Sequence, residues 1–98
     1  MTFVWLDEAK LELSEAALYY QWQEQGLGES FIDQVEAAAR KIIRDPTLPR
    51  EFDPPFRKVA TKRFPYQVIY VIEPETVLIV AVMHQHREPG YWRDRLDT

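Results

Sequence analysis

Residues Arg63–Trp92 read RFPYQVIYVIEPETVLIVAVMHQHREPGYW, and the fold follows from this stretch. Two apolar runs, Tyr66–Ile72 and Val77–Met83, flank Glu73-Pro74-Glu75-Thr76. Runs this short, rich in valine, isoleucine and tyrosine and parted by a turn-forming segment, predict a β-hairpin. Neither run alternates apolar with polar residues, so both are expected as interior strands with one face under helices. Straight after the second run come His84, His86, Arg87, Tyr91 and Trp92, the densest group of reactive or recognition-capable side chains in the chain. They are expected to form one rim of the functional site. Glu88-Pro89-Gly90 breaks the chain, and Tyr91–Leu96 reads as a short tail with a single helical turn.

Upstream, Phe56–Phe64 predicts a further strand carrying Arg57, Lys58, Lys62 and Arg63. Thr47–Pro55 holds three of the seven prolines and reads as a connecting loop. Two amphipathic helices are expected before it. In the first, Leu13, Ala16, Ala17 and Tyr20 recur at i, i+3, i+4, i+7 and define a buried stripe, widened by Leu11, Leu18 and Trp22. Asp7 is placed to cap its N-terminus, Glu8 and Glu12 suit the positive end of its dipole, and it is expected to run to about Glu24 and stop at Gly26. The second is expected to begin near Glu29 or Ser30, to bury Phe31, Val35, Ala38 and Ile42, and to end before Asp45-Pro46. The tight Gly26-Leu27-Gly28 connector makes the pair an antiparallel hairpin. Phe3–Leu6 predicts a first, edge strand. Strand, helix, helix and three strands give an α+β fold: a small antiparallel sheet with a helical hairpin on one face.

At 98 residues this is one domain, 1–98, since a second core would not fit. No apolar run is long enough to span a bilayer, and no leader-like segment opens the sequence, so a cytoplasmic protein without membrane contact is expected. There is no cysteine, which excludes disulfide and thiolate chemistry. The net charge of −4 argues against coating nucleic acid. The charge is uneven: Phe56–Tyr66 carries four cations and no acid, a basic edge on an acidic body. Arg57, Lys58 and Lys62 in that edge could contact phosphate or an acidic partner segment, or could serve as a solvated edge strand that discourages aggregation.

Several chemistries fail on residue types. Ser14 and Ser30 are the only serines, and both fall in or at helices, so a serine triad is not indicated. The glycines, Gly26, Gly28 and Gly90, form no phosphate-cradling loop. His84 and His86 share one side of an extended segment, as metal ligands can, but no third ligand is signalled; neither a metal nor a cofactor is expected. The aromatics Trp5, Tyr19, Tyr20 and Trp22 are expected to anchor helix to sheet, and Tyr70 to join the core.

Arg63-Phe64-Pro65-Tyr66-x-x-x-Tyr70, the run into Ala81-Val82-Met83-His84, and Arg87-x-Pro89-x-x-Trp92-x-x-Arg95 together resemble the RelE/ParE toxin superfamily of type II toxin–antitoxin systems. More narrowly they resemble its ParE-like, plasmid-stabilisation branch. The resemblance implies a toxin neutralised by a cognate antitoxin, with operator DNA reached only through that antitoxin and any exposed helix aromatics available as its groove. It also implies one of two targets, DNA gyrase or the ribosome and its messenger RNA. A ribonuclease needs cations for the charged phosphate and a group to move protons. Arg63, His84, Arg87 and Tyr91 would carry that chemistry, yet Gln67 and Gln85 stand where relatives of the nuclease branch place cations. A gyrase poison needs only a gripping surface, for which Arg63, His84, Arg87, Trp92, Arg93 and Arg95 offer residue types common at interface hot spots. Gyrase is therefore the expected target, with the messenger endonuclease and an attenuated, antitoxin-binding relative as alternatives.

Overall fold

A computed structural model describes residues 2–96. Its elements run β1 (Thr2–Trp5), α1 (Asp7–Gln23), α2 (Leu27–Arg44), β2 (Arg57–Ala60), β3 (Tyr66–Glu73) and β4 (Thr76–His84), followed by a 3-10 turn at Arg93–Leu96. The four strands lie in the order β1-β4-β3-β2, so the predicted hairpin strands β3 and β4 are the interior pair. The fold is α+β as expected. The sheet is mixed, however: β3 pairs antiparallel with β2 and β4, while β1 runs parallel to β4 from Thr2↔Thr76 to Trp5↔Ile79.

The sheet separates two apolar clusters. On one face, Val68, Tyr70, Val77, Ile79 and Val82 pack against Ala9, Ala16 and Ala17 of α1 and Phe31, Val35, Ala38 and Ile42 of α2. On the other, Ile69, Val71, Val80, Ala81 and Met83 are covered by Phe56 and by Trp92, with Tyr91 and Leu96 beside them. Tyr70 is wholly buried and its hydroxyl donates to the Pro46 carbonyl at 2.6 Å, tying the end of α2 to the sheet. The tail after β4 is thus a cover for the sheet's second face, which explains why strands apolar on both faces are stable here.

Element ends differ from the periodic reading for identifiable reasons. Leu6, not Asp7, occupies the N-cap of α1, and no side chain caps that end. α2 starts at Leu27, ahead of the Glu29 or Ser30 expected, because Gln21 of α1 supplies the acceptor: its Oε1 takes the N–H of Gly26 at 3.1 Å and of Gly28 at 3.2 Å. Gly28 is therefore a helical residue at a close crossing. A Cβ there would lie 2.6 Å from the Ala17 carbonyl oxygen. β2 is confined to Arg57–Ala60, after which Thr61 closes the turn through its hydroxyl, which donates to the carbonyls of Phe64 at 3.0 Å and Tyr66 at 3.2 Å.

The outer face of α1 is the clearest departure. Leu11, Leu18 and Trp22, expected to widen the buried stripe, are exposed, and Trp22 is 80% accessible. Tyr19 is exposed as well, so of the expected helix aromatics only Tyr20 sits in the aromatic core, against Phe31 at 5.2 Å and Phe64 at 4.8 Å. Helix α1 is apolar on two sides, and one of them has no cover among the described residues.

Candidate functional site

The site begins with a backbone irregularity. Along β4 the pairs Tyr70↔Ile79 and Ile69↔Ala81 leave Val80 unmatched, a β-bulge. Val77 and Ile79 face the helices, Val80 and Ala81 both face the second cluster, and Val82 faces the helices again. The extra residue shifts the alternation by one. As a result His84 lies on the helix side, where it lines a cleft with Glu12, Glu15, Ala16, Tyr19, Tyr66, Val82 and Arg87. Without the bulge, period-two alternation would turn His84 to the opposite face.

The cleft, about 280 Å³, is walled by α1 on one side and by the ends of β3 and β4 on the other. Tyr66 meets His84 edge-to-face at 5.1 Å, and His84 lies 5.3 Å from His86. The Nδ1 of His84 accepts the backbone N–H of His86 at 3.0 Å, which fixes the ring and folds the chain back after the strand. The Gln85 N–H donates to the Pro65 carbonyl, so the loop holding Arg63 is fastened to the same end of the sheet. Arg63 itself is exposed, in a left-handed conformation at φ 71°.

At the floor of this region stands Glu12, which the sequence offered only as a helix-dipole partner. Its side chain is 11% accessible. Oε1 accepts the Val82 N–H at 2.9 Å and Nη1 of Arg95 at 2.9 Å; Oε2 accepts Nη2 of Arg95 at 2.9 Å and the Tyr91 hydroxyl at 2.6 Å. Arg87 approaches Oε2 at 3.4 Å while its guanidinium stacks 3.7 Å from the centre of the Tyr91 ring. Burial raises the Tyr91 pKa, and Glu12 raises it further by accepting its hydrogen bond and by repelling a phenolate; the nearby arginines oppose this only in part. Tyr91 is held as a neutral donor.

The residues singled out from the sequence therefore divide. His84 and Arg87 meet at the cleft, and the Arg63 loop is fastened to its end of the sheet. Arg95 is a structural cation: its side chain is 15% accessible and it also donates to the Val80 carbonyl at 3.0 Å. Trp92 is not available to grip a target. It is 1% accessible, packed edge-to-face against Phe56 and Tyr91 and at a tilt against Phe52, because the second sheet face needs a large apolar cover. Arg93 pairs with Asp53 and remains more than half exposed. Arg57 likewise turns inward, donating to the carbonyls of Thr47 and Pro49 and so holding the loop before β2. Lys58 lies 4.6 Å over the Phe52 ring, and Lys62 lines a hollow beside α2. Glu12 was missed because helical phase places it on the edge of the buried stripe; nothing in the local sequence announces the distant partners.

A second surface is apolar. Leu18, Ala17 and Ile32 line a shallow groove with Ser14, Gln21, Gly28 and Glu29, along the seam of the helical hairpin. Leu11 and Trp22 extend the apolar surface along α1. No helix among the described residues is long and apolar enough to cross a membrane.

Compared with known proteins, residues 3–89 match the model of a family described as the ParE toxin of the type II toxin–antitoxin system parDE. No curated protein matches by sequence. Among solved structures, a chain of the chromosomal ParDE TA system from P. aeruginosa has a similar fold, with a TM-score of 0.65 at 13% identity, covering 86% of this chain and 95% of that one.

Proposed function

This chain belongs to the ParE toxin family of type II toxin–antitoxin systems, and on that premise we propose that it acts by gripping DNA gyrase and is neutralised when a cognate antitoxin covers its helical hairpin. The observation that carries the protein-binding reading is the engagement of Tyr91, Arg87 and Arg95 by Glu12. A phosphate-cleaving site needs an ionisable group free to take a proton and cations free to meet a charged phosphate. Here the phenol donates to a carboxylate, its pKa is raised, and Arg95 neutralises the same carboxylate. Such a cluster holds the segment after β4 rigid. Rigid presentation of Arg87, His84 and Arg63 at one end of the sheet suits recognition of a protein surface. Gyrase is named from the family resemblance.

The exposed stripe Leu11, Leu18 and Trp22 with its neighbouring groove is the antitoxin face in this reading. An amphipathic helix of a partner would lay its apolar side there, since exposed apolar surface of this kind marks an interaction site.

The test is induced expression in bacteria, followed by separate assays of gyrase supercoiling and of ribosome-bound messenger. Loss of supercoiling with intact messenger is expected. Messenger cut at the ribosome, and no longer cut by the Tyr91→Phe or His84→Ala variant, would overturn the proposal in favour of an endonuclease. An absence of any growth defect would point to an attenuated relative.

A further inference from the structure

The β1 edge of the sheet is bare. No strand among the described residues lies beyond β1. Thr2 and Leu6 donate their N–H groups inward, to the carbonyls of Glu75 at 2.8 Å and Ile79 at 3.0 Å. Alternate residues of a strand direct their backbone groups the same way, so Val4 also faces β4, while the N–H and C=O groups of Phe3 and Trp5 point outward. Thr2–Trp5 carries no charge and no proline, the usual guards of an edge strand, whereas the β2 edge carries Lys58. Beside the bare edge runs a groove of about 460 Å³ between β1 and α2. Phe3, Trp5, Ala39 and Ile43 give it an apolar lining, and Glu36 and Arg40 stand on its α2 side. Ile43 is exposed, and so is Val4 on the opposite face of the strand.

We propose that this edge joins a second copy of the chain across a twofold axis, β1 against β1 and antiparallel, doubling the four-stranded sheet. With Phe3 opposite Trp5 of the second copy, and Trp5 opposite its Phe3, each pair exchanges both backbone hydrogen bonds. Every outward group of the two residues is then satisfied. The register centres on Val4, so the two valines meet at the closely spaced position of the ladder and cover each other. Helix α2 adds a match in charge. Glu36 and Arg40 lie one turn apart, both are exposed, and neither forms an ion pair among the described residues. An axis normal to the sheet runs the two α2 helices antiparallel, which sets Glu36 of each copy against Arg40 of the other. A lone peptide strand satisfies the backbone but not this charge order; the chain's own edge meets both. Nucleic acid matches poorly, because Glu36 stands beside the one cation that lines the groove. The contact is isologous and closed, so it uses both bare edges and leaves none for further growth. None of the groove residues lines the His84 cleft or belongs to the Leu11, Leu18, Trp22 stripe, so the dimer presents each of those surfaces twice.

Sedimentation equilibrium and amide hydrogen exchange on the parent chain, each over a range of concentrations, test the dimer. A mass approaching twice the 11.7 kDa of one chain is expected as concentration rises, with exchange at the Phe3 and Trp5 amides slowing in step. Glu36→Arg should weaken association at least about tenfold, since it sets like charges across the axis. The double variant Glu36→Arg, Arg40→Glu should restore it. Val4→Lys, at an exposed position, should leave the chain folded by circular dichroism and monomeric, because it places two ammonium groups at the axis. A parent chain that stays monomeric to near-millimolar concentration would overturn the proposal. So would a dimer whose Phe3 and Trp5 amides exchange as fast as in the monomer, or a double variant that associates no better than Glu36→Arg. Protection of these amides only on binding the protein encoded by the neighbouring gene would assign the edge to that protein and overturn the proposal equally. The gyrase and helical-hairpin contacts proposed above do not depend on any of these outcomes.

Discussion

Glu12 and Arg95, at opposite ends of the sequence, are joined by two hydrogen bonds of 2.9 Å across the edge of β4. Strand β1 stops pairing at Trp5↔Ile79, and the bulge at Val80 follows at once. From there Arg95 donates to the Val80 carbonyl and Glu12 accepts the Val82 N–H, so two side chains continue the ladder where the neighbouring strand ends. The ion pair therefore does three things together: it caps a sheet edge, fastens α1 to β4, and anchors the tail that covers the second core.

Removing Glu12 should be among the most damaging single changes. Glu12→Ala leaves Arg95 largely buried without its counter-ion and strips acceptors from Val82 N–H and the Tyr91 hydroxyl. Loss of one partner from a buried pair costs about 3–5 kcal/mol, which urea denaturation would register. A loss below about 1 kcal/mol would mean that the pair is effectively solvated.

Tyr91 links stability to alkaline pH. Its folded pKa lies above the ordinary value, chiefly through burial and then through Glu12. Its contribution is complete below the unfolded phenol's pKa of about 10 and is lost as pH rises above that toward the folded value. Tyr91→Phe should cost about 2 kcal/mol at neutral pH, as for a hydrogen bond to a charged group. It should also lessen the alkaline fall in stability, part of which persists because burial raises Tyr20, Tyr66 and Tyr70 too. Denaturation curves at neutral and alkaline pH decide this; an unchanged fall in the variant would exclude Tyr91 as a contributor.

Trp92 and Trp22 should separate folding from binding. Trp92→Ala empties the second core and is expected to cost about 3–5 kcal/mol. Trp22→Ala, at a site 80% accessible, should change stability by no more than about 0.5 kcal/mol. Antitoxin affinity, measured by calorimetry, should fall at least tenfold for Trp22→Ala if α1 carries that interface. Undiminished affinity would place the antitoxin elsewhere.

Gly28→Ala tests the helix crossing. Helix propensity alone favours the change by about 1 kcal/mol. The new Cβ would sit 2.6 Å from the Ala17 carbonyl oxygen, a backbone atom that cannot swing aside. A net loss of about 1–3 kcal/mol is expected, the range of an overpacked core. A thermal midpoint higher than that of the parent chain would show that the helices separate freely.

Much of the architecture is legible in the linear sequence because it depends on local periodicity. The two apolar runs flanking Pro74, the stripe Phe31, Val35, Ala38, Ile42 and the break at Asp45-Pro46 define strands and helices whatever the rest of the chain does. Their order fixes the α+β class. The basic character of Phe56–Tyr66 can also be read directly. Tertiary structure alone decided which of those charges are free: Arg57 turns inward to the carbonyls of Thr47 and Pro49, while Lys58, Lys62 and Arg63 stay exposed. It decided that Leu11, Leu18 and Trp22 face outward, since apolarity marks two stripes on α1 and only packing chooses the one to bury. The single unmatched residue at Val80 decided that His84 meets the helices, and Glu12 found its partners only when both ends of the chain met. Hydrophobic pattern acts within a few residues, so it is written in order along the chain; hydrogen bonds between residues far apart depend on a register that exists only after folding.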